Sequence, residues 1–131
     1  MITINKNTYN YVALTLTEKS LLSQPNFNLF VFTNETNDET KIFTTVDNSY
    51  YKDRYNFFTI TESDTQSEDL LNGVIYISGN TAQWKYEVYE SDTAFSSDTL
   101  SITATTGRIL EKGRVLIKGS QANNTINQIY L

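Results

Sequence analysis

The side chains in this chain that could do chemistry are mostly carboxylates, and they fall in three groups: Glu35, Asp38 and Glu39; Glu62, Asp64, Glu68 and Asp69; Glu90 and Asp92. A hard cation would need a cage of oxygens, but no group has the spacing of a calcium-binding loop with its central glycine and terminal glutamate. A glycosidase would need two carboxylates ~5 to 10 Å apart across a sugar cleft, and the sequence singles out no such pair. Solvated loop charge accounts for all three groups. Histidine and cysteine are absent from the 131 residues. With them go thiol nucleophiles, imidazole bases, the Ser-His-Asp arrangement and the usual zinc ligand sets. The five scattered glycines form no phosphate-cradling loop. The expectation is a protein with no catalytic residue, metal or cofactor.

Binding chemistry has more to draw on. Four of the ten basic residues, Arg108, Lys112, Arg114 and Lys118, fall in one short segment of a chain with a formal charge of -5. They are either a solvated strand face or a patch complementary to the acidic side of another copy or a partner, where charge fixes orientation more than it raises affinity. Net acidity argues against nucleic acid as that partner, because phosphate recognition rests on Lys and Arg. The C-terminal stretch "SQANNTINQIYL" is polar and then apolar at Ile126, Ile129, Tyr130 and Leu131. Such an arm either folds back on its own domain or adds to a neighbour's sheet edge or pocket. Tyr50, Tyr51, Tyr55, Tyr86 and Tyr89 could stack on sugars, although tyrosine also belongs in strands for ordinary reasons of packing.

The elements that must position these residues read as strands. In "YNYVALTLT" Val12, Leu14 and Leu16 share a face opposite Ala13, Thr15 and Thr17, a period of two. "NFNLFVFT" is apolar on both faces, Phe27, Leu29 and Val31 against Phe30 and Phe32, which predicts a strand in the middle of a sheet. "TKIFTTV", "RYNFFTIT", "LNGVIYISG", "TAQWKYEVYE" and "GRVLIKG" follow at regular intervals, with polar or acidic connections between them. Within the sixth of these, Trp84, Tyr86 and Val88 should enter the core while Lys85, Glu87 and Tyr89 face out. No window carries three turns of helical periodicity, and residues 17–24 promise one turn at most. The fold class expected is all-β, an Ig-like β-sandwich of about seven antiparallel strands. It occupies residues 1–118, with a C-terminal arm at 119–131. Hydrophobic residues at 39% and aromatics at 13% suffice for one core without disulfides or metals. No run approaches the ~20 apolar residues of a membrane span, and the N-terminal residues carry Asn and Thr where a secretory signal has its apolar core. Synthesis in a cytoplasm, without a membrane partner, is the expectation.

The succession "NLFVFTNETNDE", "YYKDRYNFFTITES", "LNGVIYISGNTAQWKYEVYES" and "ILEKGRVLIKG", from Asn28 to Gly119, resembles small β-sandwich virion proteins of tailed bacteriophages. These include proteins of crAss-like phages of gut Bacteroidales and of marine podoviruses. Its most specific parts are Arg54, Tyr55 and Phe58, the block from Trp84 to Glu90, and the block from Glu111 to Ile117. The resemblance implies an auxiliary capsid or decoration protein that binds the major capsid protein, other virion proteins or copies of itself. It implies localisation in the virion after synthesis in the bacterial host, and no catalytic residues. A head-fibre base, collar or tail component is the nearer alternative, and a carbohydrate-binding module the farther one.

Overall fold

A computed structural model describes residues 1–16, 19, 27–50, 54–77 and 82–119. The strands are β1 (Ile2–Asn5), β2 (Thr8–Leu14), β3 (Phe27–Asn34), β4 (Thr40–Thr44), β5 (Asn56–Glu62), β6 (Val74–Ile75), β7 (Ala82–Ser91) and β8 (Ile109–Lys118). One 3₁₀ turn, Ile102–Ala104, lies between β7 and β8. The turn expected over 17–24 and the arm at 119–131 fall outside the described residues, apart from Lys19 and Gly119.

Two sheets form, a five-stranded one in the order β1-β8-β7-β3-β4 and a three-stranded one in the order β2-β5-β6. The protein is an all-β, two-sheet sandwich. The run β8-β7-β3-β4 follows the G-F-C-C′ order of an immunoglobulin-like sheet. Eight strands are present rather than about seven, and two pairings are parallel, β1 with β8 and β5 with β6. Hairpin signals specify antiparallel neighbours, whereas both of these pairs are parallel, and β1 and β8 are also far apart in sequence.

β1 is too short to announce itself, yet it buries Ile2 and Ile4 in the core. The chain then turns through Lys6 and Asn7 and crosses to the other sheet. Asn7 has φ 60°, a left-handed conformation that asparagine tolerates better than most residues. Asn10 locks this corner by accepting a hydrogen bond from the Asn5 N–H at 2.8 Å and donating its amide to the Asn5 carbonyl at 3.1 Å. β6 is shorter than "LNGVIYISG" suggests, because Asp69 and Val74 exchange backbone hydrogen bonds across a tight loop ending at Gly73, φ +74°.

The core lies between the sheets. Phe30 stacks on Phe43 at 5.3 Å and meets Phe58 of the opposite sheet edge-on at 5.0 Å, while Phe32 meets Phe43 edge-on at 4.9 Å. Rings in these geometries add ~0.5 to 1.5 kcal/mol per pair beyond their area burial. Trp84, Tyr86 and Val88 enter this core, as the period of two predicts.

Leu29 and Val31 form a second cluster on the outer face of the five-stranded sheet, with Ile42, Phe95 and Leu100. Tyr89 joins them, buried rather than facing solvent. The β7–β8 connection folds back over this face, held by Ser91 Oγ donating to the Ala104 carbonyl at 3.2 Å and by the Thr106 N–H donating to the Glu90 carbonyl at 3.0 Å. The two-sided apolarity of β3 therefore has two physical causes, the core on one side and this loop on the other.

Candidate docking surface

β8 alternates inward Val115 and Ile117 with outward Lys112, Arg114 and Lys118, all three exposed. Its antiparallel pairing with β7 sets Lys85 opposite Arg114 and Glu87 opposite Lys112. Lys85 thereby joins the basic row, although no linear reading groups it with that segment. Glu87 accepts a hydrogen bond from the Tyr89 hydroxyl at 3.0 Å, which raises the Tyr89 phenol above its ordinary value after burial has done the larger part. The guanidinium of Arg114 reaches Gln83 at 3.3 Å and Glu35 at 3.8 Å, both near the surface.

Arg108 does not belong to this row. Its guanidinium meets the buried carboxylate of Glu90 at 3.3 Å and donates to the Lys19 carbonyl, so it ties the start of β8 to the end of β7. The structure thus brings together three of the four basic residues named from sequence, adds Lys85, and gives Arg108 to the fold. Ile126, Ile129, Tyr130 and Leu131 lie outside the described residues.

The three acidic groups come apart in space. Glu62 contradicts the expectation of solvated loop charge: it sits in β5, 0% exposed, with Lys6 Nζ 3.3 Å from its carboxylate. The same carboxylate accepts N–H bonds from Asn7 and Ile77, each at 2.9 Å. Lys6 also donates to the Ile77 carbonyl, and its ammonium lies over the Tyr76 ring at 5.2 Å. Glu68 pairs with Lys41 at 2.7 Å. Partial burial pushes the Glu68 carboxyl up, but the Lys41 ammonium and the Tyr76 N–H outweigh it and hold the group below the ordinary carboxylate value. Glu90 takes Arg108. Among the described residues no three Asp or Glu side chains converge on a point where a cation would sit.

The tyrosines named as sugar-stacking candidates do not share a face. Tyr86 is in the core, its hydroxyl donating to Glu111 at 2.7 Å, and burial followed by that carboxylate raises its phenol strongly. Tyr89 is under the loop, Tyr50 is exposed, and Tyr51 lies outside the described residues. Two tyrosines that a linear reading passed over, Tyr9 and Tyr11, are exposed on the outer face of β2. The alternation through Val12 and Leu14 already assigned odd positions to that face.

Fold and surface together define a two-sheet β-sandwich with a cationic strand row on its larger sheet. Comparison of the chain with family models, with curated proteins and with solved structures gave no match.

Proposed function

We propose that the protein is an auxiliary structural component of a tailed-phage virion, docking on the major capsid protein shell through the outer face of β7 and β8. The observation that carries this reading is the row of Lys85, Lys112, Arg114 and Lys118 on an acidic chain. Like charges directly opposite on neighbouring strands are destabilising, and the long, exposed Arg114–Glu35 pair at 3.8 Å offsets little of the repulsion between Lys85 and Arg114. An acidic partner surface offsets it, by electrostatic complementarity that sets orientation. The resemblance of Asn28 to Gly119 to phage virion proteins supports the choice of particle. A binder selective for the assembled shell stabilises it by mass action, and many copies on a lattice turn weak single contacts into high occupancy. The arm at 119–131 supplies a second contact.

The test is sedimentation of purified heads with wild-type protein, the Lys112→Glu/Arg114→Glu variant and a chain truncated after Gly119. The wild type should co-sediment with a salt-sensitive occupancy, the charge-reversed protein should stay in the supernatant, and the truncated chain should bind more weakly. The charge-reversed protein should melt within a few degrees of the wild type, since both sites are exposed and the repulsion from Glu87 gained at position 112 is offset by the attraction to Lys85 gained at position 114. Equal occupancy by the charge-reversed protein removes the docking face. Failure to detect the polypeptide in purified particles by mass spectrometry removes the virion assignment.

A further inference from the structure

We propose that the outer face of the three-stranded sheet, with the cleft at its end, is a binding site for neutral polysaccharide. The docking face on the other sheet plays no part in this. On β2 the outward positions are Tyr9, Tyr11 and Ala13, and across from them on β5 stand Thr61, Thr59 and Phe57. None of the six carries a formal charge, in a chain with fifteen acidic and ten basic residues. Tyr9 and Tyr11 are each 67% exposed. Two residues along one strand face, they stand about 6.6 Å apart, on the scale of a sugar ring. Tyr11 lies against Phe57 with ring centroids 5.7 Å apart and planes 10° from parallel, so its orientation is set before any ligand arrives. An exposed, oriented aromatic surface without charge presents what the apolar C–H face of a pyranose stacks on.

At the N-terminal end of β2 the ring row runs into an open cleft of ≈ 430 Å³ lined by Asn7, Thr8, Tyr9, Ser63, Asp64 and Gln66. Amide, hydroxyl and carboxylate groups of this kind exchange hydrogen bonds with sugar hydroxyls in both directions. The cleft floor is tied by hydrogen bonds. Asn7, held left-handed, donates its N–H to the buried Glu62 at 2.9 Å and accepts from the Asp64 N–H at 3.1 Å. Rings and a hydrogen-bonding cleft in one continuous surface are the two parts of a site that fixes orientation with a few polar groups and gains affinity from apolar area. Asp64 at the cleft and the acidic chain behind it repel anionic polymers, and the six uncharged positions of the ring row offer a cationic polymer no partner, so the ligand class is uncharged.

The test is affinity electrophoresis of the full chain in gels containing soluble β-glucan, xyloglucan or galactomannan, with alginate and polygalacturonate as anionic controls. At least one neutral polymer should retard the protein, and neither anionic polymer should. Tyr9→Ala and Tyr11→Ala should each weaken that binding about tenfold, Tyr11→Phe should retain it because the ring remains, and Lys112→Glu/Arg114→Glu should leave it unchanged. Unaltered melting temperatures separate loss of the site from loss of the fold. No retardation in any neutral polymer, binding by the two alanine variants as strong as that of the wild type, or preference for the anionic polymers overturns the proposal. So does a dimer in light scattering that Tyr11→Ala dissociates, because the face would then serve a second copy.

Discussion

Replacing Lys6 with methionine isolates the most deeply buried ion pair among the described residues. The ammonium lies 3.3 Å from the carboxylate of Glu62, with side chains 7% and 0% exposed. Methionine keeps the apolar stem and removes the charge, leaving a buried carboxylate whose remaining partners are the N–H groups of Asn7 and Ile77. Breaking a buried pair from one side costs about 3 to 5 kcal/mol, and those two N–H bonds favour the lower end, about 3 kcal/mol. For a domain of this size that corresponds to a fall in Tm of roughly 10 to 18 °C. Urea denaturation of wild type, Lys6→Met, Glu62→Gln and the double variant measures the coupling. Glutamine keeps an acceptor without the charge, so the double variant should recover about half of the Lys6→Met loss. Lys41→Met serves as the control: its partner Glu68 is close but partly exposed, and the cost should stay below about 1 kcal/mol. A Lys6→Met protein within about 1 kcal/mol of wild type, or a double variant no more stable than that single one, would refute the argument that burial makes this pair decisive.

Three further outcomes follow from the packing. Burial, then Glu111, holds the Tyr86 proton more tightly in the folded state than in the unfolded chain, and burial, then Glu87, does the same for Tyr89. Their stabilisation is complete below the ordinary phenol value of 10.0 and is lost as pH rises past it, so these two tyrosines should resist ionisation in a 295 nm titration until the protein unfolds. Gly73→Ala should destabilise more than Gly107→Ala by urea titration: both have positive φ, but a Cβ at Gly73 would meet the Thr59 carbonyl at 2.8 Å, whereas at Gly107 it meets open space. Trp84 is fully buried with its indole N–H unpaired among the described residues, so Trp84→Phe, which removes that donor, should cost well under the ~3 to 5 kcal/mol of Trp84→Ala.

Much of the framework was legible one strand at a time. The alternation in β2, and in β7 up to Val88, separates inward from outward residues, and the unbroken apolarity of β3 places it between neighbours, where it lies between β7 and β4. β1 escaped notice because four residues carry too little pattern to distinguish a strand from a terminus. Tyr89 escaped because its partners, Phe95 and Leu100, belong to a loop that no periodicity announces. In the candidate docking surface the Lys112, Arg114 and Lys118 row was readable, since outward positions of one strand recur every second residue. Lys85 and the removal of Arg108 were not, because each depends on which strand lies alongside.

What the sequence by itself determined is local: the strands with clear alternation, and the absence of histidine and cysteine from any site. Steric and hydrogen-bonding preferences act over a few residues, so they can be read in order along the chain. Tertiary structure alone decided that Ile2 and Ile4 join a strand from the far end of the chain, that Glu62 finds Lys6, and that Tyr9 and Tyr11 share an uncharged face with Phe57. Those choices are made by burial of apolar area and by pairing of charges taken out of water, forces that act between whatever surfaces meet and carry no record of sequence distance.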